Sequence, residues 1–294
     1  MKHKKIFLIG NPVAGGGTLK KIKKAEKILK VKGFTVETLL TKAQGDAEKF
    51  ARQINEIYPD NSIVLAAGGD GTYNEVANGL AFSETPMAIL PMGTTSVLAK
   101  ELKIPYRIEK AIEVSLNGRV QKVHLGRIKN QEKQRLFILM AGIGFDGSAV
   151  YKVNPKGKRY LKKIAYILSG IKSLLKYTPA EIEIFNSEKK KANNAVVCNA
   201  SCYGGSFKIA PQANLKDPYF YVIVSKTHTR IELACQILGV IFGFHLKLKN
   251  IDYFKTETLK ISGDAHVQID GDYFGKTPVD IELIKNALNL VFPG

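Results

Sequence analysis

The sequence predicts an α/β fold in two domains. An N-terminal α/β domain with a parallel sheet covers residues 1–120, and a C-terminal, mostly antiparallel β-sandwich domain covers residues 121–294. Three observations predict it. Apolar β-branched runs alternate with amphipathic helical periods early in the chain, glycine-rich turns follow those runs, and beyond Asn117-Gly118 the alternation gives way to short strand-like runs.

Lys5 to Gly10 reads as the first strand. Asn11-Pro12-Val13-Ala14-Gly15-Gly16-Gly17-Thr18 is then a glycine-rich turn before a lysine-rich helix with Ile22, Ala25, Ile28 and Leu29 on one face. Gly33 stops that helix, Phe34 to Leu40 is the second strand, and the next helix carries Ala47, Phe50, Ala51 and Ile54. The third strand, from Ser62, runs into Gly68-Gly69-Asp70-Gly71-Thr72 and a helix with Glu75, Val76, Asn78 and Leu80. The fourth, Met87 to Leu90, runs into Pro91-Met92-Gly93-Thr94-Thr95-Ser96 and a helix from Val97 to Leu102. Ligands of parallel sheets gather beyond the carboxyl ends of the strands, where all three glycine turns fall, so the turns can share one ligand.

A glycine turn opening a helix suits anionic oxygens. Asp70 would repel a bare phosphate, which points to a bridging Mg²⁺ or to a hydroxyl that must lose a proton. Neither near match is a Walker A loop: after Gly10 and Gly15 stand Gly16 and Gly17 where Lys and Ser/Thr are needed, and Gly271 and Gly275 have one residue too few between them.

The second domain is read from Val120–Ile128, Arg135–Ala141, Ala180–Phe185, Ala195–Asn199, Phe220–Val224, Leu259–Ser262, Val267–Asp270 and Val279–Leu283. The final run, Leu288 to Phe292, can return to pack on the first domain.

Composition, 45% hydrophobic and 24% charged, is that of a globular protein. Its 44 Lys and Arg against 26 Asp and Glu leave a charge of +18, which favours an anionic partner. The basic residues belong to no recognisable nucleic-acid module, so no nucleic-acid partner is expected. Cys198, Cys202 and Cys235 have neither disulfide nor zinc spacing and read as reduced thiols of a cytoplasmic protein. The apolar run after Lys5 is too short for an export signal, and Ile231 to Leu246 falls short of a membrane span.

In order along the chain, Asn11-Pro12-x-Ala14-Gly15-x-Gly17, Gly68-Gly69-Asp70-Gly71-Thr72-x-Asn74-Glu75-Val76-x-Asn78-Gly79, Pro91-Met92-Gly93-Thr94, Gly144-Phe145-Asp146 and Asp270-Gly271-Asp272 resemble the diacylglycerol kinase catalytic family. The resemblance runs from residue 5 to about residue 285. It implies an ATP- and Mg²⁺-dependent lipid kinase that moves the γ-phosphate to a lipid hydroxyl. It further implies that Asn11, Thr41, Gly68, Gly69, Asp70, Gly71, Thr72, Gly93 and Thr94 line the nucleotide, that Asp70 acts through the metal with Asp146 as a second carboxylate, and that Asp272 is a candidate base. Asp272 stands where relatives usually carry Glu, His124 where many bacterial relatives carry Asp, and Ser96 where many carry Asn. By its residues alone, His124 reads as a hydrogen-bonded histidine at a strand end.

The implied partners are a lipid substrate at the cytoplasmic membrane surface and anionic lipids, with a homodimer left open. A basic amphipathic helix over Lys152 to Lys176 suits such peripheral association, and suits equally a core-packed helix with a solvated lysine face. Two alternatives stay open: an NAD kinase-like phosphotransferase, which shares Gly-Gly-Asp-Gly-Thr, and a nucleotide- and membrane-binding protein that has lost transfer.

Overall fold

Strands β1 (Lys5–Gly10), β2 (Val36–Leu40), β3 (Ser62–Gly68) and β4 (Met87–Pro91) pair in parallel in the order β2-β1-β3-β4. In this computed structural model, residues 5–59, 61–93, 96–152 and 178–294 are described. The central strand β3 is buried along its whole length, which is why its sequence is a continuous apolar run and not an alternating one. Helices α1 (Thr18–Val31), α2 (Asp46–Ile57), α3 (Asp70–Leu80), α4 (Val97–Glu101) and α5 (Ile108–Asn117) complete the parallel layers. Ile22, Ala25 and Leu29 are the buried stripe of α1. Gly79 lets α3 approach α2 so closely that a Cβ there would meet the Glu48 carbonyl.

The chain forms two compact units, Met1–Leu125 with Lys285–Gly294, and Gly126–Ile284. The connections are β5 (Arg119–Lys129) going out and β18 (Val279–Phe292) coming back. On its return β18 pairs in parallel with β4, Leu290 opposite Met87.

In the second unit β5 pairs with β6 (Gln134–Phe137), and β7 (Met140–Ile143) leads into α6 (Phe145–Tyr151). Then come β8 (Ile182–Phe185), β9 (Lys189–Ala192), β10 (Asn194–Cys198), the two-residue strands β11 (Cys202–Tyr203) and β12 (Phe207–Lys208), and β13 (Phe220–Ser225). Helix α7 (Arg230–Phe242) precedes β14 (Ile251–Thr256), β15 (Thr258–Gly263), β16 (His266–Ile269) and β17 (Asp272–Lys276). One sheet has the order β14-β13-β10-β7-β16-β17, every pair antiparallel. Strand β15, between β8 and the first half of β18, belongs to the other layer. Phe137 and Phe220 stack at 5.7 Å within the core, with Val197, Val222, Val267 and Phe274 buried around them. Burying such side chains stabilises by roughly 1.5–3 kcal/mol each.

One run differs from the sequence reading, and another, read only as too short for a membrane span, gains its element. Arg135–Ala141 is two strands, because the amides of Ile138, Leu139 and Met140 turn together onto the Asp270 carboxylate. Ile231–Leu246 is mostly helix, opened by a capping box between Thr229 and Glu232. Of the expected basic helix over Lys152 to Lys176, all but Lys152 lies outside the described residues.

Candidate active site

The site in the first unit is built on two carbonyl oxygens at the end of β3. Ala67 O accepts the Asn11 amide at 3.0 Å. Gly68 O accepts the buried Tyr73 hydroxyl at 2.8 Å and the amides of Met92 and Gly93 at 3.0 and 3.3 Å. The three glycine turns are thereby pinned to one strand end. A Cβ on Gly15 would lie 3.3 Å from Met92 O, and one on Gly93 would lie 4.0 Å from the Gly69 Cα. A side chain on Gly68 would collide with Thr72, so this glycine is required by close approach alone. Gly69, extended at φ −120°, has open space where a Cβ would stand. Thr41 joins the same edge, its amide donating to Gly10 O at 2.9 Å. The side chain of Asn11 turns back onto its own loop, accepting the Val13 amide at 3.0 Å. Thr94 lies outside the described residues.

Asp70 is the first residue of α3, and its two carboxylate oxygens accept the amides of Val97 and Leu98 at 2.9 and 3.0 Å. It therefore caps α4 across the turn. Ser96, buried, caps the same helix by accepting the Ala99 amide at 3.3 Å. Tyr106 donates to Ser96 O at 3.1 Å. Glu75 plays the matching part for α2, accepting the Ala47 amide at 3.2 Å. Burial pushes the Tyr73 phenol far above its ordinary value, so it remains a donor to Gly68.

The second unit has its own polar chain. Asp270 and Gly271, both at positive φ, form the two-residue turn between β16 and β17, and Ile269 faces Asp272 across it. The Asp270 carboxylate accepts the amides of Ile138, Leu139 and Met140 at 2.7, 2.8 and 3.0 Å. Gly271 donates its amide to Gln268 Oε1 at 2.8 Å, and Gln268 Nε2 donates to Asp146 Oδ2 at 2.6 Å. The Tyr203 hydroxyl donates to the other Asp146 oxygen. Burial raises the Asp146 carboxyl above the usual carboxylate range, although these two donors favour its charged form. Asp272, half-buried, opens β17.

His124 is buried, and its Nδ1 accepts the Asn286 amide at 2.8 Å, which places the ring proton on Nε2. Asn286 is at φ 53°, so the imidazole satisfies the amide of an irregular residue in β18. Among the described residues no group of three or more His, Cys, Asp or Glu could hold a metal ion by itself. Sequence reasoning missed Tyr73, Gln268 and Tyr203. The first carried a usable signal, an aromatic residue in the first turn of the helix that the glycine turn opens, whereas the other two meet Asp146 across 122 and 57 residues of sequence.

A model of the diacylglycerol kinase catalytic domain matches residues 5–128, and a model of the YegS C-terminal NAD kinase beta sandwich-like domain matches residues 140–292. The fold and these matches define a class, the kinase-type phosphotransferases that join an α/β unit to a β-sandwich. Within it, residues 5–128 belong to the diacylglycerol kinase catalytic family and residues 140–292 to the YegS C-terminal domain family, and the chain is an enzyme of the lipid kinase kind. It is 29% identical to the diacylglycerol kinase of Bacillus subtilis over 299 residues, covering 99% of this chain and 97% of that one. A crystal structure from Bacillus anthracis has a TM-score of 0.79 at 24% identity, covering 99% of this chain and 96% of its own. Yeast NADH kinase complexed with NADH has a TM-score of 0.53 at 10% identity, covering 99% and 84%. The two structural likenesses speak to fold alone.

Proposed function

We propose that the chain is an ATP- and Mg²⁺-dependent kinase whose acceptor is the hydroxyl of diacylglycerol or a similar long-chain lipid, reached from the cytoplasmic side of a membrane. The observation that carries the nucleotide half is the convergence of the Gly15, Gly68–Gly69 and Gly93 backbones, a cradle that side chains would fill. Its residues fit a phosphate chain, since backbone amides and a helix start offer donors without bulk. One carboxylate at the turn suits Mg²⁺, which typically takes one or two carboxylates together with phosphate oxygens and water. ATP supplies the phosphoryl group, and Mg²⁺ neutralises charge on its oxygens.

The chain's own residues do the rest. Asn11, Thr41, Gly68, Gly69, Gly71, Thr72, Gly93 and Thr94 hold the nucleotide, and Asp70 orients the turn while offering its carboxylate to the metal. Asp272 takes the proton of the acceptor hydroxyl on a carboxylate oxygen, and the Asp146-Gln268-Gly271 chain keeps its turn in place. Asp146, enclosed by Tyr203 and Gln268, serves there as a positioning residue.

The test is transfer from labelled ATP, with Mg²⁺, to diacylglycerol, ceramide, sphingosine, phosphatidylglycerol and a polyprenol in anionic vesicles, with NAD as a soluble acceptor. Label in diacylglycerol alone is the expected result. The fold shared with yeast NADH kinase favours a second reading, in which label appears in NAD. ATP binding without label in any acceptor would instead mark a protein that has lost transfer.

A further inference from the structure

Helix α7 carries its apolar residues on the wrong side for a protein surveyed by water. It runs from Arg230 to Phe242, between the Thr229 and Glu232 capping box and Gly243 in the left-handed conformation. Its inner face is fixed by Leu233 and by Gly239, where a Cβ would stand 2.9 Å from the His245 Cα. His245 Nε2 lies 2.7 Å from Ile209 O and ties that corner to the sandwich. On the outer face Ile231, Cys235, Leu238 and Phe242 recur at i, i+4, i+7 and i+11, within an arc of about 60° at 100° per residue. Ile231 is 76% exposed, Leu238 48% and Phe242 73%, and Cys235 is exposed among them. Ile241 and Phe244 widen the stripe at its C-terminal end. The water-facing side of a surface helix is ordinarily polar.

The charges around the stripe say what covers it. Lys226, His228 and Arg230 are exposed at one end, and Lys247 and Lys249 at the other. From Lys226 to Lys249 the single acid is Glu232, and it is engaged in accepting the amides of His228 and Thr229. A second copy of this helix would bring cations against cations whether the pair ran parallel or antiparallel, because both ends are positive. An anionic bilayer complements both ends at once. At about 20 Å in length, α7 is too short to cross a hydrocarbon core of about 30 Å and suits lying in its surface.

We propose that α7 docks the enzyme on anionic membranes, its outward stripe entering the acyl boundary while the flanking cations meet lipid headgroups. The inference rests on the lipid-acceptor reading, since an enzyme whose acceptor lies in a bilayer must reach it, but its test is independent of transfer.

The full chain is sedimented with vesicles of phosphatidylcholine containing phosphatidylglycerol, and with phosphatidylcholine alone. The native chain binds the anionic vesicles, and Leu238→Glu/Phe242→Glu binds them at least about tenfold more weakly, with thermal unfolding unchanged. Because the chain has no Trp, Phe242→Trp gives a single reporter, expected to shift to the blue on the same vesicles and to be quenched by brominated acyl chains. That reporter decides the matter if the charged variant does not fold. Equal sedimentation of a folded Leu238→Glu/Phe242→Glu chain, a reporter that stays unquenched, or a change from dimer to monomer with vesicle binding intact overturns the proposal. Transfer to a short-chain, water-soluble diacylglycerol is measured alongside and is expected to be the same in native and variant chains. Its absence in both would defeat the acceptor reading and leave the vesicle result standing.

Discussion

Asp70 sits at a point where the proposed chemistry and the architecture share one carboxylate. Its oxygens hold the first amides of α4, so Asp70→Asn removes both a negative charge from the turn and one arm of a cap. Loss of a cap costs about 0.5–2 kcal/mol, whereas loss of the carboxylate proposed to hold the Mg²⁺ that stabilises the transferring phosphoryl group lowers turnover on the order of 10²–10³-fold. We expect the second effect to dominate: phosphate transfer by Asp70→Asn falls at least a hundredfold while its melting temperature drops by only a few degrees. Full activity in a folded Asp70→Asn chain would rule out the metal role. Asp146 makes a prediction of the opposite kind. Burial raises its pKa, so over the window from the unfolded value up to the folded one the native chain binds more protons than the unfolded chain. Stability from this group is present below that window and is lost as pH rises through it. Asp146→Asn lacks the titration, and its melting temperature should therefore decline less than that of the native chain as pH rises from the ordinary Asp value of about 4.

At the level of elements, the turn between β16 and β17 is held from outside. Asp270 satisfies three amides of the β6–β7 connection, and Asp270→Ala leaves those donors without their acceptor at a cost of at least about 3 kcal/mol. Urea unfolding should show it, with transfer lost even in the fraction that stays folded, because Asp272 follows two residues later. This contact explains where the sequence was legible and where it was not. The parallel strands β1 to β4 and their glycine turns stand out because hydrophobic period, β-branching and glycine spacing are local signals. The break inside Arg135–Ala141 is imposed by a carboxylate more than 130 residues away, and nothing within the run foretells it. The same holds for Asp70, whose capped amides lie 27 and 28 residues downstream. Helix α7 is different: Thr229 and Glu232 spell its capping box in the sequence itself, a local signal that goes unread when the stretch is weighed only as a membrane span. From sequence His124 reads as a hydrogen-bonded histidine at a strand end; it stands instead in the middle of β5, and its bond to Asn286 supplies the partner.

For the molecule as a whole, the excess of 18 positive charges predicts how activity depends on the medium. On anionic vesicles, transfer should fall steeply as salt rises from about 0.05 to 0.5 M, since screening shortens the reach of surface charge to a few ångströms. With a short-chain acceptor in solution it should change little. Equal salt dependence in the two assays would dissociate the charge from membrane contact. The path of the chain has a further consequence, in biosynthesis. Residues 126–284 form a continuous stretch, whereas the first unit needs Lys285–Gly294 to complete its set. During translation the sandwich can therefore close on itself while β4 still has a free edge, waiting for Leu290 to arrive beside Met87. An open parallel edge is a site for mispairing. The nascent first unit therefore keeps that edge open until β18 emerges, and the half made first is the half finished last.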